Sequence, residues 1–122
     1  MKKYSETHEW VRIEGKQATI GITQHAQKEL GDIVYVELPE VDKEIKKGDE
    51  VVILESTKAA ADVYTPVGGK VLSVNSALTD SIDSLNTSPE REGWLFTIEI
   101  SSLEDLNPLL DEQQYQEMIG KD

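Results

Sequence analysis

Apolar and polar residues alternate in short runs along most of this chain, which is the pattern of β-strands with one buried face. Turn-forming residues, mainly Gly, Pro, Asn and Asp, separate the runs about every ten residues. About eight short strands in this arrangement predict a mainly β protein, built as a small sandwich or a flattened barrel. The clearest runs are residues 8–13, 17–22, 32–38, 51–54, 60–64, 71–74 and 94–100.

Helix signals are fewer and shorter than strand signals. Thr23 is a suitable N-cap for a short helix over residues 24–30, and Gly31 follows as its terminator. The stretches that lack periodicity are predicted to be irregular. They are the charged residues 41–48, with a turn at residues 46–49, and the polar residues 78–91, with a helical turn near residues 82–85.

The last part of the chain, residues 102–120, is predicted to be a helical tail. Ser102 with Asp105 has the spacing of a capping box and predicts a single turn. Asp111 with Gln114 has the same spacing and predicts a longer helix that ends before the final glycine. Two apolar sets are assigned to buried faces. They are Trp94, Phe96, Ile98 and Ile100 on the last strand, and Tyr115, Met118 and Ile119 on the last helix.

Residues 50–66 are predicted to form a hairpin that displays Lys58 at its tip. Pro66 ends the second strand because it has no amide to donate, and residues 67–70 form the next turn. The tip, residues 55–58, contains no Gly, Asn or Asp, so a type I turn is favoured over turns that need positive φ. Small residues around Lys58 leave room for a modifying enzyme, whereas an ordinary surface charge is the simplest alternative.

Length and charge limit the class of protein. With 122 residues the chain has the length of a single domain, assigned to residues 1–122. The 24 acidic and 12 basic residues give a formal net charge of −12. This charge argues against binding to nucleic acid or to an anionic membrane surface, because both would repel the protein. It is compatible with docking to basic patches on partner proteins.

The chain contains no cysteine, so it has no disulfide, no thiolate metal site and no thiol nucleophile of its own. Any redox sulfur must therefore come from a bound group. The basic residues near the N-terminus are not followed by an apolar segment, and no Arg-rich transit peptide is visible. The sequence therefore predicts a cytoplasmic protein of bacterial type.

Enzymatic chemistry has little support in the sequence. His8 and His25 lack a third ligand at suitable spacing, so a zinc site is not expected, and both are predicted at surface or cap positions. No Ser-His-Asp arrangement or cofactor fingerprint is present, and the Gly68-Gly69 pair lacks the strand-to-helix setting of a phosphate loop. The chain is therefore predicted not to be an enzyme.

Several blocks of sequence, in order along nearly the whole chain, resemble the H protein family of the glycine cleavage system, whose members carry lipoic acid. The blocks include His8-Glu9-Trp10-Val11, Leu30-Gly31-Asp32-Ile33-Val34, Glu55-Ser56-Thr57-Lys58-Ala59-Ala60 and Gly93-Trp94-Leu95. The resemblance implies a lipoyl-domain type of barrel-sandwich hybrid with added helices. It also implies that lipoic acid is attached covalently to the side-chain nitrogen of Lys58.

The resemblance assigns roles to further residues. Glu55, three residues before the lysine, and Gly69, eleven after it, are implied in recognition by the lipoate-attaching enzyme. Thr7, Glu9 and Asp62 are implied in a cleft that protects the loaded arm, where carboxylates could hold a charged amine. If the family resemblance is set aside, the acids Glu9, Glu55 and Asp62 would be interpreted as ordinary solvated carboxylates. Thr7 would be a polar loop residue, and Gly69 would be a turn glycine.

The function implied by the resemblance is transport of the aminomethyl group of glycine on lipoyl-Lys58. The implied partners are a pyridoxal-phosphate-dependent glycine decarboxylase (P protein), a tetrahydrofolate-dependent aminomethyltransferase (T protein), dihydrolipoyl dehydrogenase (L protein) and the lipoate-attaching enzyme. Lipoyl relay to other enzymes and an unmodified interaction domain remain alternatives. A biotin carrier is disfavoured because Thr57 and Ala59 stand where methionines are normally found. Ala61 and Glu90-Arg91 depart from the family pattern and put partner contacts in question.

Overall fold

The strands of the chain form two antiparallel sheets in the computed structural model, which describes residues 1–120. The strands are β1 (Lys2–Tyr4), β2 (Glu9–Glu14), β3 (Gln17–Ile22), β4 (Ile33–Glu37), β5 (Glu44–Ile45), β6 (Glu50–Ser56), β7 (Ala60–Tyr64), β8 (Gly69–Val74) and β9 (Phe96–Ile100). The helices are α1 (Gln24–Leu30), α2 (Ala77–Asp80), α3 (Asp83–Thr87) and α4 (Glu112–Ile119), with a 3-10 turn at Leu103–Leu106. The predicted mainly β architecture with short helices is confirmed.

The main apolar core lies between the two sheets. Six strands make the larger sheet, in the order β1-β2-β3-β9-β8-β5, and three make the smaller one, in the order β4-β6-β7. Alternate residues of both sheets point inward, and each fully buried aliphatic side chain contributes about 1.5–3 kcal/mol to folding. Core residues that are at most 3% exposed include Val11, Ile20 and Ile98 from the larger sheet and Val52, Leu54 and Val63 from the smaller sheet.

A second apolar cluster holds α4 against the start of the chain. Tyr4, Trp10 and Tyr115 are buried, and the rings of Tyr4 and Tyr115 stack with centroids 4.6 Å apart. The predicted apolar stripe of the last helix is therefore confirmed, although it packs in this cluster and not in the main core. Trp94 belongs to the same cluster, so its predicted place on the face of the last strand is wrong. The reason is that β9 begins two residues later, at Phe96.

The helix ends agree with the capping signals, with one exception. The Thr23 hydroxyl accepts a hydrogen bond from the Ala26 amide and starts α1, and Asp111 with Gln114 forms the predicted capping box of α4. The 3-10 turn begins after Ser102 as expected, but the Ser102 side chain makes no capping bond. The carboxylate of Asp105 instead accepts a hydrogen bond of 3.0 Å from the Gly68 amide. A tertiary contact therefore replaces the predicted capping box.

Short elements account for the other differences from the predicted strands. The predicted loop at residues 41–48 contains β5, which pairs with the start of β8 and buries Ile45. The stretch predicted to be irregular, residues 78–91, holds α3, which confirms the helical turn predicted near residues 82–85, and the end of α2; these helices bury Leu85 and Leu78. Two to five residues are too few for periodicity to be visible. Within residues 1–120, no helix has the length and apolar composition needed to cross a membrane.

Candidate functional site

Lys58 lies at the exposed tip of the hairpin formed by β6 and β7. The Ser56 hydroxyl organises the turn: it accepts hydrogen bonds from the amides of Lys58 (3.1 Å) and Ala59 (3.0 Å) and donates one to the Ala59 carbonyl (3.1 Å). Neither Thr57 nor Lys58 has a positive φ, as predicted from the absence of Gly, Asn and Asp. The side chain of Ser56 therefore holds the backbone of the lysine in a defined turn.

The hairpin tip is fastened to the segment that follows α1. The Thr57 amide donates a hydrogen bond of 3.0 Å to the Asp32 carbonyl. Beside it, the end of the Lys58 side chain lies against Gly31, where a β-carbon would be 2.6 Å from Lys58 Cε and 3.5 Å from Nζ. Gly31 has φ 84° and ψ −152°, a conformation that essentially only glycine adopts. The lysine is thus exposed to solvent but rests on a specific piece of backbone.

Two amide side chains hold that piece of backbone in place. The Gly31 amide donates to the Gln27 carbonyl (2.9 Å), and Gln27 Nε2 donates back to the Gly31 carbonyl (3.1 Å). Asn86 pairs with both polar groups of Ile33: its Oδ1 accepts from the amide (2.8 Å) and its Nδ2 donates to the carbonyl (2.9 Å). Sequence reasoning missed Asn86, which lies in a stretch predicted to be irregular. A lone polar residue 53 positions away carries no local signal of this pairing.

Asn86→Ala is expected to lower the free energy of unfolding by about 1–3 kcal/mol, because Ile33 is fully buried and its amide and carbonyl would lose their partner. Chemical denaturation at pH 7 measures this change. Thr87→Ala is the matched control, since the neighbouring Thr87 is exposed and its hydroxyl bonds within α3. An Asn86→Ala protein as stable as this control would contradict the bracing role.

A cleft of about 240 Å³ opens beside the hairpin. It brings together Thr7, Glu9 and Asp62, the three residues assigned to an arm-protecting cleft by the family resemblance. Leu30, at the end of α1, and Ala61, on β7, form apolar parts of the same wall. Residues far apart in sequence therefore meet in one concave site beside the strands of the hairpin.

Thr7 and Glu9 also line a second, larger cleft. Its volume is about 490 Å³, and its apolar wall includes Tyr64, Pro66 and Leu109. The turn that carries Thr7 and Glu9 therefore borders two concave surfaces, and both contain residues of β7 or of the segment directly after it.

Glu9 is the buried acid of this site, with 3% of its surface exposed. Its Oε1 accepts hydrogen bonds from the hydroxyls of Ser5 (2.6 Å) and Thr7 (2.5 Å). Burial raises the pKa of Glu9, because the charged form loses solvation, while these two hydrogen bonds and one from the Tyr64 amide act in the opposite direction. The fold therefore places a largely buried carboxyl group, with its pKa raised, beside a cleft.

The two histidines are half-buried and interact with other side chains. Nδ1 of His8 lies 2.8 Å from the Tyr115 hydroxyl, which in turn lies 2.7 Å from the Thr23 hydroxyl. The rings of His8 and His25 are 4.7 Å apart, and burial raises the pKa of Tyr115 to about 12. His8 has φ 71° and lines the smaller cleft, and His25 lies in the first turn of α1, so both rings keep part of their surface exposed. Among residues 1–120, no three potential metal ligands cluster together.

The two residues assigned to recognition occupy different environments. Glu55 is exposed on β6, where it pairs with Ala60. Gly69 is buried at the start of β8 in the other sheet, so the predicted turn position is wrong for this residue. A β-carbon at Gly69 would lie 1.8 Å from the carbonyl oxygen of Glu99. Close pairing of β8 with β9 is therefore a structural reason for glycine at this position.

Glu90, one of the departures from the family pattern, has a structural role. One carboxylate oxygen lies 2.7 Å from Lys2 Nζ, and the other accepts a hydrogen bond of 2.9 Å from the Gln24 amide. These contacts join the loop before β9 to β1 and to the start of α1.

The whole chain is similar to proteins of one family. A family profile described as "Glycine cleavage H-protein" matches residues 2–122. The "Glycine cleavage system H protein" of Thermotoga maritima is 57% identical over 122 residues, covering 100% of this chain and 98% of that protein. The protein of the same description from Stenotrophomonas maltophilia is 48% identical over 121 residues, covering 98% and 92%.

A solved structure agrees with this similarity. The crystal structure of a glycine cleavage system H protein from Mycobacterium marinum superposes with a TM-score of 0.89 at 32% sequence identity. The alignment covers 98% of this chain and 96% of that one.

Proposed function

The chain belongs to the glycine cleavage H-protein family, the lipoyl carriers of the glycine cleavage system, and from this premise we propose that Lys58 is the residue that carries lipoic acid. A member of this family is a carrier component and not an enzyme. The observation that supports Lys58 most directly is its position: exposed, at the tip of an ordered hairpin, beside a cleft lined by acids.

The residues around Lys58 fit a covalently attached arm. The turn is built from small side chains, so an attaching enzyme can approach the lysine amine without displacing bulky groups. When bound, lipoic acid supplies a reducible disulfide at the end of a long arm, which allows a carrier to take up the aminomethyl group of glycine and pass it on. The chain has no cysteine that could compete in this exchange.

The remaining residues of the site are proposed to hold and shield the arm. Glu9 and Asp62 present carboxylates to the cleft, where a charged amine is held by charge-assisted hydrogen bonds. Thr7 positions Glu9 by donating to its Oε1. The apolar wall formed by Leu30 and Ala61 limits the access of water to the arm.

Recognition by the lipoate-attaching enzyme is proposed to use Glu55 directly, because this carboxylate is exposed on the same hairpin as Lys58. Gly69 is buried, so its contribution is indirect: it permits the close pairing of β8 and β9. The other partners proposed are glycine decarboxylase (P protein), aminomethyltransferase (T protein) and dihydrolipoyl dehydrogenase (L protein), with the protein acting in the cytoplasm. The net charge of −12 favours basic docking surfaces on these partners.

The proposal is tested by peptide mapping of protein purified from cells supplied with lipoate. The lipoyl mass is expected on the peptide that contains Lys58. Protein that stays unmodified in cells with an active lipoate-attaching enzyme would overturn the proposal.

Glu9→Gln is expected to increase stability at pH 7 while weakening protection of the arm. The raised pKa of Glu9 means that the folded protein binds this proton more tightly than the unfolded chain does. Stability therefore falls as the pH rises from the unfolded glutamate pKa of about 4.3 through the higher pKa of the folded protein. Glutamine keeps an acceptor for Ser5 and Thr7 but has no charge to bury.

Unfolding measured at a series of pH values checks the Glu9 prediction. Glu6→Gln is the control, since Glu6 is an exposed acid in the same turn. As the pH rises from the unfolded to the folded pKa of Glu9, the free energy of unfolding of the wild type and of the control should fall relative to that of Glu9→Gln. A Glu9→Gln protein that is less stable than wild type at pH 7 would show that the charge itself holds the turn together.

A further inference from the structure

The direction of the Lys58 side chain is set by a contact outside the hairpin. We propose that Gly31 is a positioning residue for the carrier arm: its bare backbone seats the end of the Lys58 side chain and directs the attached arm toward the cleft of Thr7, Glu9 and Asp62. This inference rests on the proposed function of Lys58 as the attachment site.

A side chain at position 31 and the present position of the Lys58 side chain exclude each other. A β-carbon on Gly31 would lie 2.6 Å from Lys58 Cε, 3.5 Å from Nζ and 3.8 Å from Cδ. Carbon atoms that are not bonded to each other pack at about 3.5–4.0 Å, so the lysine would have to leave its present position. Because Nζ is the atom that lipoic acid would acylate, displacement of Cε and Nζ changes the point from which the arm starts.

The backbone under the lysine is held rigidly from both sides. Gln27 binds the amide and the carbonyl of Gly31, and Asn86 binds those of Ile33. Between them, the Asp32 carbonyl accepts the hydrogen bond from Thr57 in the hairpin tip. A lysine side chain has several freely rotating bonds, and a fixed surface against its end reduces the number of directions it samples.

Gly31 is adjacent in the chain to one wall of the cleft. Leu30, the residue directly before Gly31, lines the cleft on the α1 side, and Ala61 and Asp62 line it on the β7 side. An arm that starts on Gly31 therefore leaves the tip between the two walls of the cleft. An arm displaced by a side chain at position 31 would still be exposed to an attaching enzyme but would start farther from the wall that shields it.

Gly31 is also required by the local backbone, independently of its contact with Lys58. Gly31 ends α1 with φ 84°, so any other residue strains the backbone there. Gly48 provides the matched control, because it has φ 90° and no atom within 4 Å of its would-be β-carbon. Gly31→Ala and Gly48→Ala therefore share the strain of positive φ, and Gly31→Ala alone meets the lysine.

The test compares lipoylated wild type, Gly31→Ala and Gly48→Ala after loading with glycine and glycine decarboxylase. In the absence of aminomethyltransferase, water attacks the aminomethyl carbon, the carbon–sulfur bond breaks, and formaldehyde, ammonia and the dithiol are released. Release is expected to be at least about fivefold faster in Gly31→Ala than in wild type, and unchanged in Gly48→Ala. The rate at which the attaching enzyme lipoylates Gly31→Ala is expected to stay within about twofold of the wild-type rate. The reason is that the displaced lysine is still exposed to the enzyme.

A second readout does not depend on lipoylation. In NMR spectra of the unmodified wild type, contacts are expected between the Gly31 α-protons and the Lys58 ε-protons, and the same contacts should be lost in Gly31→Ala. If wild type carries no lipoyl group, the proposed function fails. The NMR contact still tests whether the end of the Lys58 side chain rests on Gly31. If Gly31→Ala does not fold, Gln27→Ala takes its place, because it removes the hydrogen bond to the Gly31 carbonyl.

Three results would overturn the positioning role. The first is the absence of the Gly31–Lys58 contact in wild type. The second is release at the same rate from Gly31→Ala, or from Gln27→Ala in its place, as from Gly48→Ala. The third is slower lipoylation of the variant with unchanged release, which would mean that Gly31 presents the lysine to the enzyme and does not direct the loaded arm.

Discussion

Lys58→Ala is expected to abolish the lipoyl mass increment completely, whereas wild type purified from the same lipoate-supplied cells should carry it. The physical reason is that the variant lacks the only nucleophilic nitrogen at the hairpin tip, and no neighbouring residue of the turn can replace it. Because Lys58 is exposed, the variant should unfold within about 0.5 kcal/mol of wild type. Intact mass and chemical denaturation measure the two quantities.

Lys16→Ala is the matched control for this prediction, because Lys16 is also an exposed lysine at the turn of a hairpin, between β2 and β3. It should keep the full lipoyl increment. An increment that persists in Lys58→Ala would place the attachment site elsewhere and contradict the proposed function. Loss of the increment in both variants would mean that overall charge or folding, and not the position of Lys58, controls modification.

Gly69→Ala is expected to be the most destabilising single change among those proposed. The added β-carbon would lie 1.8 Å from the Glu99 carbonyl oxygen and 3.1 Å from Ile98 Cγ1, inside the pairing of β8 with β9. The backbone must move to make room for the added β-carbon. Gly69 also has φ 154°, so the cost of backbone strain adds to the cost of the clash. We expect a loss of about 3 kcal/mol or more, and a fall in Tm of about 10 °C or more.

Gly15→Ala separates this clash from the general cost of replacing glycine. Gly15 has φ 63° but no atom within 4 Å of its would-be β-carbon, so the change should cost about 1–2 kcal/mol. Thermal unfolding of both variants makes the comparison. A Gly69→Ala protein as stable as Gly15→Ala would contradict the structural explanation of Gly69.

Gly69→Ala also distinguishes direct from indirect recognition of Gly69 by the lipoate-attaching enzyme. If Gly69 acts through the fold, lipoylation of Gly69→Ala should follow the fraction of folded protein. At a temperature where the variant is still folded, its lipoylation rate should approach that of wild type. A folded variant that is not lipoylated would instead mean that the enzyme contacts this strand directly.

Much of this protein is determined by local sequence. Alternation with a period of two identifies strands such as β3, and the capping side chains of Thr23 and Asp111 set the starts of two helices. The hairpin and the exposure of Lys58 follow from two apolar runs around a polar turn. These features were predictable because each depends on residues within a few positions of one another.

Tertiary structure alone decided how the site is assembled. The Asn86 brace joins residues 53 positions apart, and the bond from Gly68 to Asp105 spans 37 positions. Neither a lone asparagine nor a lone aspartate indicates its partner in the sequence. The burial of Gly69 and the seat of Lys58 on Gly31 likewise depend on which strands and turns pack together. Sequence therefore determined the longer strands, two helix starts and the exposed hairpin lysine, whereas packing decided what the lysine rests on, because side-chain contacts between distant segments leave no periodic pattern.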